Sequence, residues 1–448
     1  APKDALVGST WGFLQLARGR VKEADQAFRE AISQDSTLGE PHLGLGLALF
    51  RRNQTEAAVE EMRKATLLEP KVSLYNSYLG KAYYETKDDR LAQKYLAEAK
   101  QLDPRDPTPH FYDAIRLQSI NRPVEAVQDL QTSIELNDNR AMYRSRLLLD
   151  EDLAARDTAL GKIYNQIGFE QLGLNEVWKS LAHDPANYSA HRLLADSYST
   201  MPRHEIARAS ELLQSQLLQS INTNPVQPQL AETNLFILAD VGPTTASLYE
   251  YNPLFVRDHL TILASGIIGI NSTLGDEVVL SGIEDRFSYS LGQFHYETNG
   301  FRENNDLKHD IFNLFAQITM TPNLNLQAEL RRRKTEYGDL RLNFDPDDFS
   351  SGDRTNVDQD TVRLGAHFSL SPQSDLYVSF IHSNREENKI IFSNALSNVL
   401  PDIFPDLFSG PKVNTDVNDL GYQAEAQYLI RSSHYSVIAG IGSYDIET

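Results

Sequence analysis

Few residues in this chain are typed and spaced for chemistry. The run FDPDDFSSGD, residues 344–353, gathers Asp345, Asp347, Asp348 and Asp353. Clustered carboxylate oxygens of this kind hold Ca²⁺. The run lacks the Glu that closes an EF-hand loop at position 12, so the expectation is a Ca²⁺ site or a solvated acidic loop. His42, His110, His183, His191 and His204 are scattered and none stands at metal-ligand spacing. There is no phosphate-cradling Gly loop, no HExxH and no GxSxG. With no cysteine there is no thiol nucleophile and no thiolate-held zinc. The chain is therefore read as not an enzyme, with no cofactor beyond the candidate Ca²⁺ at Asp345, Asp347, Asp348 and Asp353.

Charge narrows the partners. Over 448 residues, 62 acidic side chains outweigh 42 basic ones, for a net charge of −20. A field of that sign repels phosphate backbones and argues against nucleic acid. The lack of cysteine suits an oxidising compartment. The chain opens APKDALVGST with no apolar run, so no signal peptide is visible and a processed or truncated form is expected. No stretch of 18 apolar residues offers a membrane-spanning helix.

The elements that must position any site divide the chain in two. Residues 1–220 repeat every 34 positions: Gly12, Gly46 and Gly80 share a column, as do Ala24, Ala58 and Ala92, and Ala31, Ala65 and Ala99. Phe28, Met62 and Leu96 keep the same register, and Pro70 and Pro104 close their units. Small residues fit where two helices cross closely, a larger one fills the space between units, and Pro ends a helix. Residues 107–139 form a degenerate fourth unit, 140–152 break the period, and two further units follow to about 220. A Pro/Asn-rich linker is expected over 221–253.

Beyond it the apolar period falls from 3.6 to 2. Leu324, Leu326, Ala328 and Leu330 alternate with Asn325, Gln327, Glu329 and Arg331, and three other runs alternate in the same way. Seven strands are expected, near 284–297, 309–320, 324–337, 360–370, 375–385, 418–431 and 435–444. Tight turns at 321–323, 371–374 and 432–434 alternate with long polar links, as in an outer-membrane barrel. A soluble β-sandwich is the rival. A closed barrel has no edge and an even strand number, so the strands are expected to be completed by more chain or by oligomerisation. Residues 254–283, Gly-rich and weakly alternating, are expected to form a plug-like or periplasmic segment. Alternation sends Arg331 and Arg333 to the barrel interior, where they attract anionic cargo. The alternative is a basic girdle on lipopolysaccharide phosphates. The fold class is α + β multidomain: an N-terminal α-solenoid, then a C-terminal antiparallel transmembrane-type β-barrel over 284–448, incomplete within this chain.

Leu79-Gly80, Tyr83, Ala92, Ala99 and Pro104 make the third unit resemble the tetratricopeptide repeat (TPR) family. With YNPLF and RFSYSLGQFHYETNGFRENND following the repeats, the chain resembles a group of Gram-negative outer-membrane proteins. These carry such repeats before a barrel like that of TonB-dependent receptors. The domain order is similar to exopolysaccharide export porins and to surface lipoprotein assembly modulators. No TonB box is present. The resemblance implies a groove formed by the first helix of each unit, faced by Phe50, Arg51, Lys81, Tyr84, Glu85, Lys162 and Asn165. Each of these is otherwise an ordinary solvated helix position. It also implies an outer-membrane protein with a periplasmic repeat scaffold that exports or assembles a surface polymer or protein, through a periplasmic or surface protein partner and a polysaccharide cargo. Two alternatives stand beside it: a structural subunit of an extracellular or cell-surface homopolymer, and a soluble repeat adaptor fused to a β-sandwich.

Overall fold

The computed structural model describes residues 4–142, 146–198, 201, 203–221, 256–341, 349–392, 412–432 and 434–448. The first half is a row of six helical hairpins: α1 (Ala5–Ala17) with α2 (Val21–Gln34), α3 (Gly39–Arg51) with α4 (Thr55–Leu68), and α5 (Ser73–Glu85) with α6 (Asp89–Leu102). Then come α7 (Pro107–Ser119) with α8 (Pro123–Glu135), α9 (Arg146–Gln166) with α10 (Glu170–His183), and α11 (Tyr188–Tyr198) with α12 (Glu205–Leu218).

The repeated columns have a direct packing cause. A Cβ at Gly12 would stand 2.6 Å from the Phe28 ring, at Gly46 2.7 Å from Met62 Cγ, and at Gly80 2.7 Å from Leu96 Cγ. Phe28, Met62 and Leu96 are themselves fully buried. Each hairpin closes on one large side chain driven against a glycine on the facing helix. The hairpin turns repeat too. Gly19, Asn53, Lys87 and Asn121, again 34 apart, have φ of 69°, 58°, 64° and 60°. This left-handed residue just past each first helix is the usual αL termination. Where the period breaks, a short 3₁₀ turn (Asn137–Met142) leads into α9, which at 21 residues is longer than its counterparts.

The second half is one antiparallel meander of nine strands: β1 (His259–Ile268), β2 (Leu274–Glu284), β3 (Phe287–Thr298), β4 (Leu307–Thr321), β5 (Leu324–Tyr337), β6 (Arg354–Ser371), β7 (Ser374–Phe392), β8 (Lys412–Arg431) and β9 (Ser436–Glu447). Neighbours in sequence are neighbours in the sheet. The sheet is open: among the described residues β1 pairs only with β2 and β9 only with β8.

The described strands form an open sheet, and no closed barrel is shown. Two expectations need correction. Residues 254–283 do not stand apart as a plug; they supply β1 and β2, paired over Leu260↔Gly282 to Ile268↔Leu274. Finally, β6, β7 and β8, of 18, 19 and 20 residues, outrun the strands expected over 360–370, 375–385 and 418–431. Their extra length is polar. Asp358 lies opposite Glu386, and Arg385 meets Asp419 at 3.0 Å, so the ladder continues past the point where apolar alternation stops.

The two faces of the sheet differ in kind. On one face, cross-strand partners form apolar rows: Leu324–Phe368–Leu376–Tyr428, Ile318–Leu326–Ala366–Val378, Ala316–Ala328–Leu364–Phe380, and Leu314–Leu330–Val362. This face is uncovered; Leu364 is 52% and Phe312 49% exposed. At ~3.3 Å per residue, the rows from Leu324 to Leu330 cover about 20 Å of strand. A charged row, Asp310–Lys334–Asp358–Glu386, follows toward the long-loop end. The opposite face is buried and, over β4 to β8, mostly polar: Asn313, Gln317, Gln327, Arg363 and Ser379 are under 5% exposed and Glu329 is at 6%, while Val279, Phe294, Tyr296, Leu307 and Ile311 form an apolar cluster over β2 to β4.

Candidate functional site

The solenoid sits at one end of the sheet, and that end carries the short turns. The connections at 285–286, 322–323, 372–373 and 432–435 are short, whereas 299–306, 338–353 and 393–411 at the other end are long. Arg51, the last residue of α3, donates Nη1 to Asp258 at 2.5 Å and Nη2 to the Asp285 carbonyl in the β2–β3 turn. The Asp258 N–H in turn donates to the Arg51 carbonyl at 2.9 Å. Arg257 lies 3.4 Å from the buried Glu85 carboxylate at the end of α5. At the far side Arg431, the last residue of β8, reaches Asp184 at 2.6 Å and Glu151 at 2.8 Å. Charged contacts thus join both ends of the solenoid to the short-turn rim.

Between these anchors the end of α12 enters the polar face of the sheet. Gln327 donates to the Gln216 carbonyl at 2.7 Å, Gln317 donates to the Gln219 carbonyl at 3.0 Å, and the Gln216 amide donates to Glu329 at 3.1 Å. Helix C-termini leave their last carbonyls without intrahelical donors, and strand side chains satisfy them here. Leu217 and Leu218 pack with Tyr377 and Leu429. Gly365 makes room: a Cβ there would lie 2.7 Å from Leu217 Cδ2. Above this insertion Glu329 accepts from Arg363 Nε at 3.0 Å and from Asn313 Nδ2 at 2.7 Å.

The expected groove residues fall into different surroundings. Phe50 is fully buried in the solenoid core and faces no groove; α3 is enclosed on that side by its neighbours. Lys162 is also buried. Asn165 donates to Ser197 Oγ at 3.0 Å and ties consecutive units together. Tyr84 is half-buried, and burial raises its phenol above the usual value. Lys81 is buried between two rings, its Nζ 5.4 Å from the Tyr78 centroid and 4.8 Å from that of Tyr112. Burial lowers its pKa to about 7, opposed by Glu85. The Glu85 carboxyl is raised by burial, against Arg257 and Lys81. Arg51, Lys81 and Glu85 are the three that the fold brings together, beside the sheet rim.

Arg331 and Arg333 lie on the polar face, in register with Gln327 and Glu329 and opposite Thr361 and Gln359. Arg332 and Lys334 take the other, exposed face. The basic side chains on the exposed face are therefore Arg332 and Lys334, and Arg331 and Arg333 are not among them. Of the acidic loop, Asp345, Asp347 and Asp348 lie outside the described residues. Asp353 accepts from Ser350 Oγ at 2.7 Å and Arg341 Nη2 at 3.0 Å. Among the described residues no cluster of three His, Asp or Glu side chains could hold a metal ion. No sequence pattern marks the roles of Asp258, Arg431, Asp184 or the end of α12. Their partners lie on the other side of the linker, beyond any local period.

These helical hairpins form a tetratricopeptide-like solenoid. No family model matches the chain, and no curated protein matches it. Solved structures similar to it cover the helical half. One is the APC/C hetero-tetramer Cut9–Hcn1, at 17% identity and a TM-score of 0.43 over 49% of this chain; the match spans 41% of that chain. A thermophilic TPR protein of Thermus thermophilus is 17% identical, with a TM-score of 0.36, over 47% of this chain and 99% of its own. PilF of Pseudomonas aeruginosa is 19% identical, with a TM-score of 0.38, over 47% and 89%.

Proposed function

We propose that this chain is a non-enzymatic outer-membrane protein whose solenoid docks a protein partner in the periplasm and whose strands provide an outward route for a surface polymer or protein. One observation carries the reading: over β5 to β8 the uncovered face of the sheet is apolar and the buried face is mostly polar. In water the apolar rows would be the side to hide, as they are in a β-sandwich. An apolar outer face with polar residues inside is the arrangement of a strand set in lipid. The apolar rows, followed by a charged row toward the long-loop end, resemble the outward apolar band and polar margin of such proteins. Among the described residues no helix is long and apolar enough to cross a membrane. The solenoid lies at the short-turn end, the periplasmic end in such proteins.

The experiment is reconstitution. The chain should enter lipid vesicles, resist carbonate extraction, and leave its solenoid accessible to protease from one side only. A monodisperse protein in plain buffer would contradict the proposal. The two unpaired edges, β1 and β9, support a second reading, in which strands pair between copies in a surface assembly, since an open edge invites pairing. That reading expects sedimenting polymers without detergent, and no requirement for lipid.

A further inference from the structure

We propose that the cavity between the first helices of the solenoid and the short-turn rim of the sheet is a receptor for an acidic, aliphatic-rich peptide segment; this rests on the reading of the solenoid as a protein-docking scaffold. The cavity encloses about 530 Å³ and is built by α1, α3 and α5, the residues just after α12, and the β2–β3 and β4–β5 turns. Pockets of that size take small ligands or a few side chains.

Its charge is opposite to that of the molecule. In a chain of net charge −20, Arg18, Arg51, Lys81 and Arg286 line it and Asp285 is its one carboxylate. Asp258 already neutralises Arg51. Among the described residues, Arg18 and Arg286 have no ion-pair partner. The four cations come from four separate elements and converge on one space, which an arriving carboxylate would bridge. The neighbouring cavity of about 440 Å³ has as many carboxylates as cations along its walls and lacks this bias.

The walls select among anions. Leu16, Leu47, Ile221 and Val256 offer aliphatic surface between the cations. A sugar polymer would need an open aromatic face for its rings, but Tyr78, the one aromatic lining residue, already has Lys81 against its ring. Thr319 and Asn325, which close the cavity on the sheet side, share the strand face of Gln317 and Gln327. The cavity is therefore walled by the polar face and lies away from the exposed apolar rows, where a lipid would lie. Side chains of Asp or Glu interleaved with Leu or Val match both kinds of wall.

The test is fluorescence anisotropy on the full chain in detergent micelles. The probes are a short labelled peptide of alternating Glu and Leu, its Gln isostere, and oligogalacturonate as competitor. The acidic peptide is expected to bind about tenfold more tightly than the isostere at low salt, with the gap closing as salt screens it. Arg18→Glu with Arg286→Glu, both outside the buried core, should abolish the difference while circular dichroism stays unchanged. Equal binding of the two peptides, a preference that survives the double variant, or tighter binding of oligogalacturonate would overturn the inference and leave the scaffold reading standing. Failure of both peptides to bind a folded chain would count against both.

Discussion

Arg431, closing β8, donates to the Asp184 carboxylate that follows α10, 2.6 Å away across 247 positions of sequence. Both side chains are buried, and Arg431 also donates to Glu151 and to the Pro372 carbonyl. Removing one partner of a buried pair strands the other charge. Arg431→Met is expected to cost ~3–5 kcal/mol. The double variant with Asp184→Asn should recover part of that loss. Urea unfolding of the single and double variants gives the coupling directly; additive effects would show that the pair does not hold the two halves together.

The solenoid carries a pH dependence whose sign is fixed by burial. Asp184 is raised by burial to about 6, with Arg431 opposing and Glu151 and Asp375 reinforcing. Asp157 is raised by burial to about 7, with Glu176 reinforcing and Lys179 and Arg156 opposing; the His183 ring stands 3.8 Å away. Both folded values exceed the unfolded ~3.9. The folded state therefore holds these protons more tightly. Their contribution to stability is present at low pH and is lost as pH rises from ~4 through about 6 for Asp184 and about 7 for Asp157. Melting temperature should fall over that window. Asp157→Asn should flatten its upper part; an unchanged slope would place the titration elsewhere.

The repeat core should be intolerant at its crossing points and tolerant at its turns. A Cβ at Gly44 would sit 2.2 Å from the Phe28 ring, which has no free space to move into. Gly44→Ala is expected to destabilise by ~1–3 kcal/mol through overpacking. Gly19 has φ of +69°, and nothing lies within 4 Å of where its Cβ would stand. Gly19→Asn should change stability by less than ~0.5 kcal/mol, since Asn53 and Asn121 fill the same slot and Asn tolerates αL. Chemical denaturation ranks the two.

The insertion of α12 can be loosened without touching the solenoid core. Gly365→Val places side-chain atoms where Leu217 lies. Gln327→Leu removes the donor to the Gln216 carbonyl. Each should raise amide hydrogen exchange over 213–219 while leaving α1 to α6 unchanged. Equal exchange in variant and parent would mean that the α12 contact contributes nothing.

The legible parts of the fold are those with a local period. Gly12 against Phe28 and its 34-residue copies announce themselves because the same crossing recurs in the first three hairpins. Strands β4 to β8 are visible because each has one apolar and one polar face. The β1–β2 hairpin is hidden because β1, HLTILASGII, carries Ile and Leu on both faces: it lies at the sheet edge, where neither side is covered. Phe50 turns inward rather than to a groove because helical period marks a face without saying which neighbour covers it. The contacts that join the halves, Arg51 with Asp258 and Arg431 with Asp184, leave no signal in spacing, because they depend on how two separately patterned units meet.

The apolar face of the sheet is expected to meet lipid, and a chain without cysteine allows single labels to test this position by position. Nitroxides placed along β6 from Val362 to Phe368, in vesicles, report collision with oxygen, which concentrates in lipid, or with a water-soluble nickel complex. The expected result is a period of two, with Val362, Leu364, Ala366 and Phe368 favouring oxygen and Arg363, Gly365 and His367 shielded from it. Uniform access to the nickel complex along the strand, or no alternation, would contradict a lipid-facing sheet.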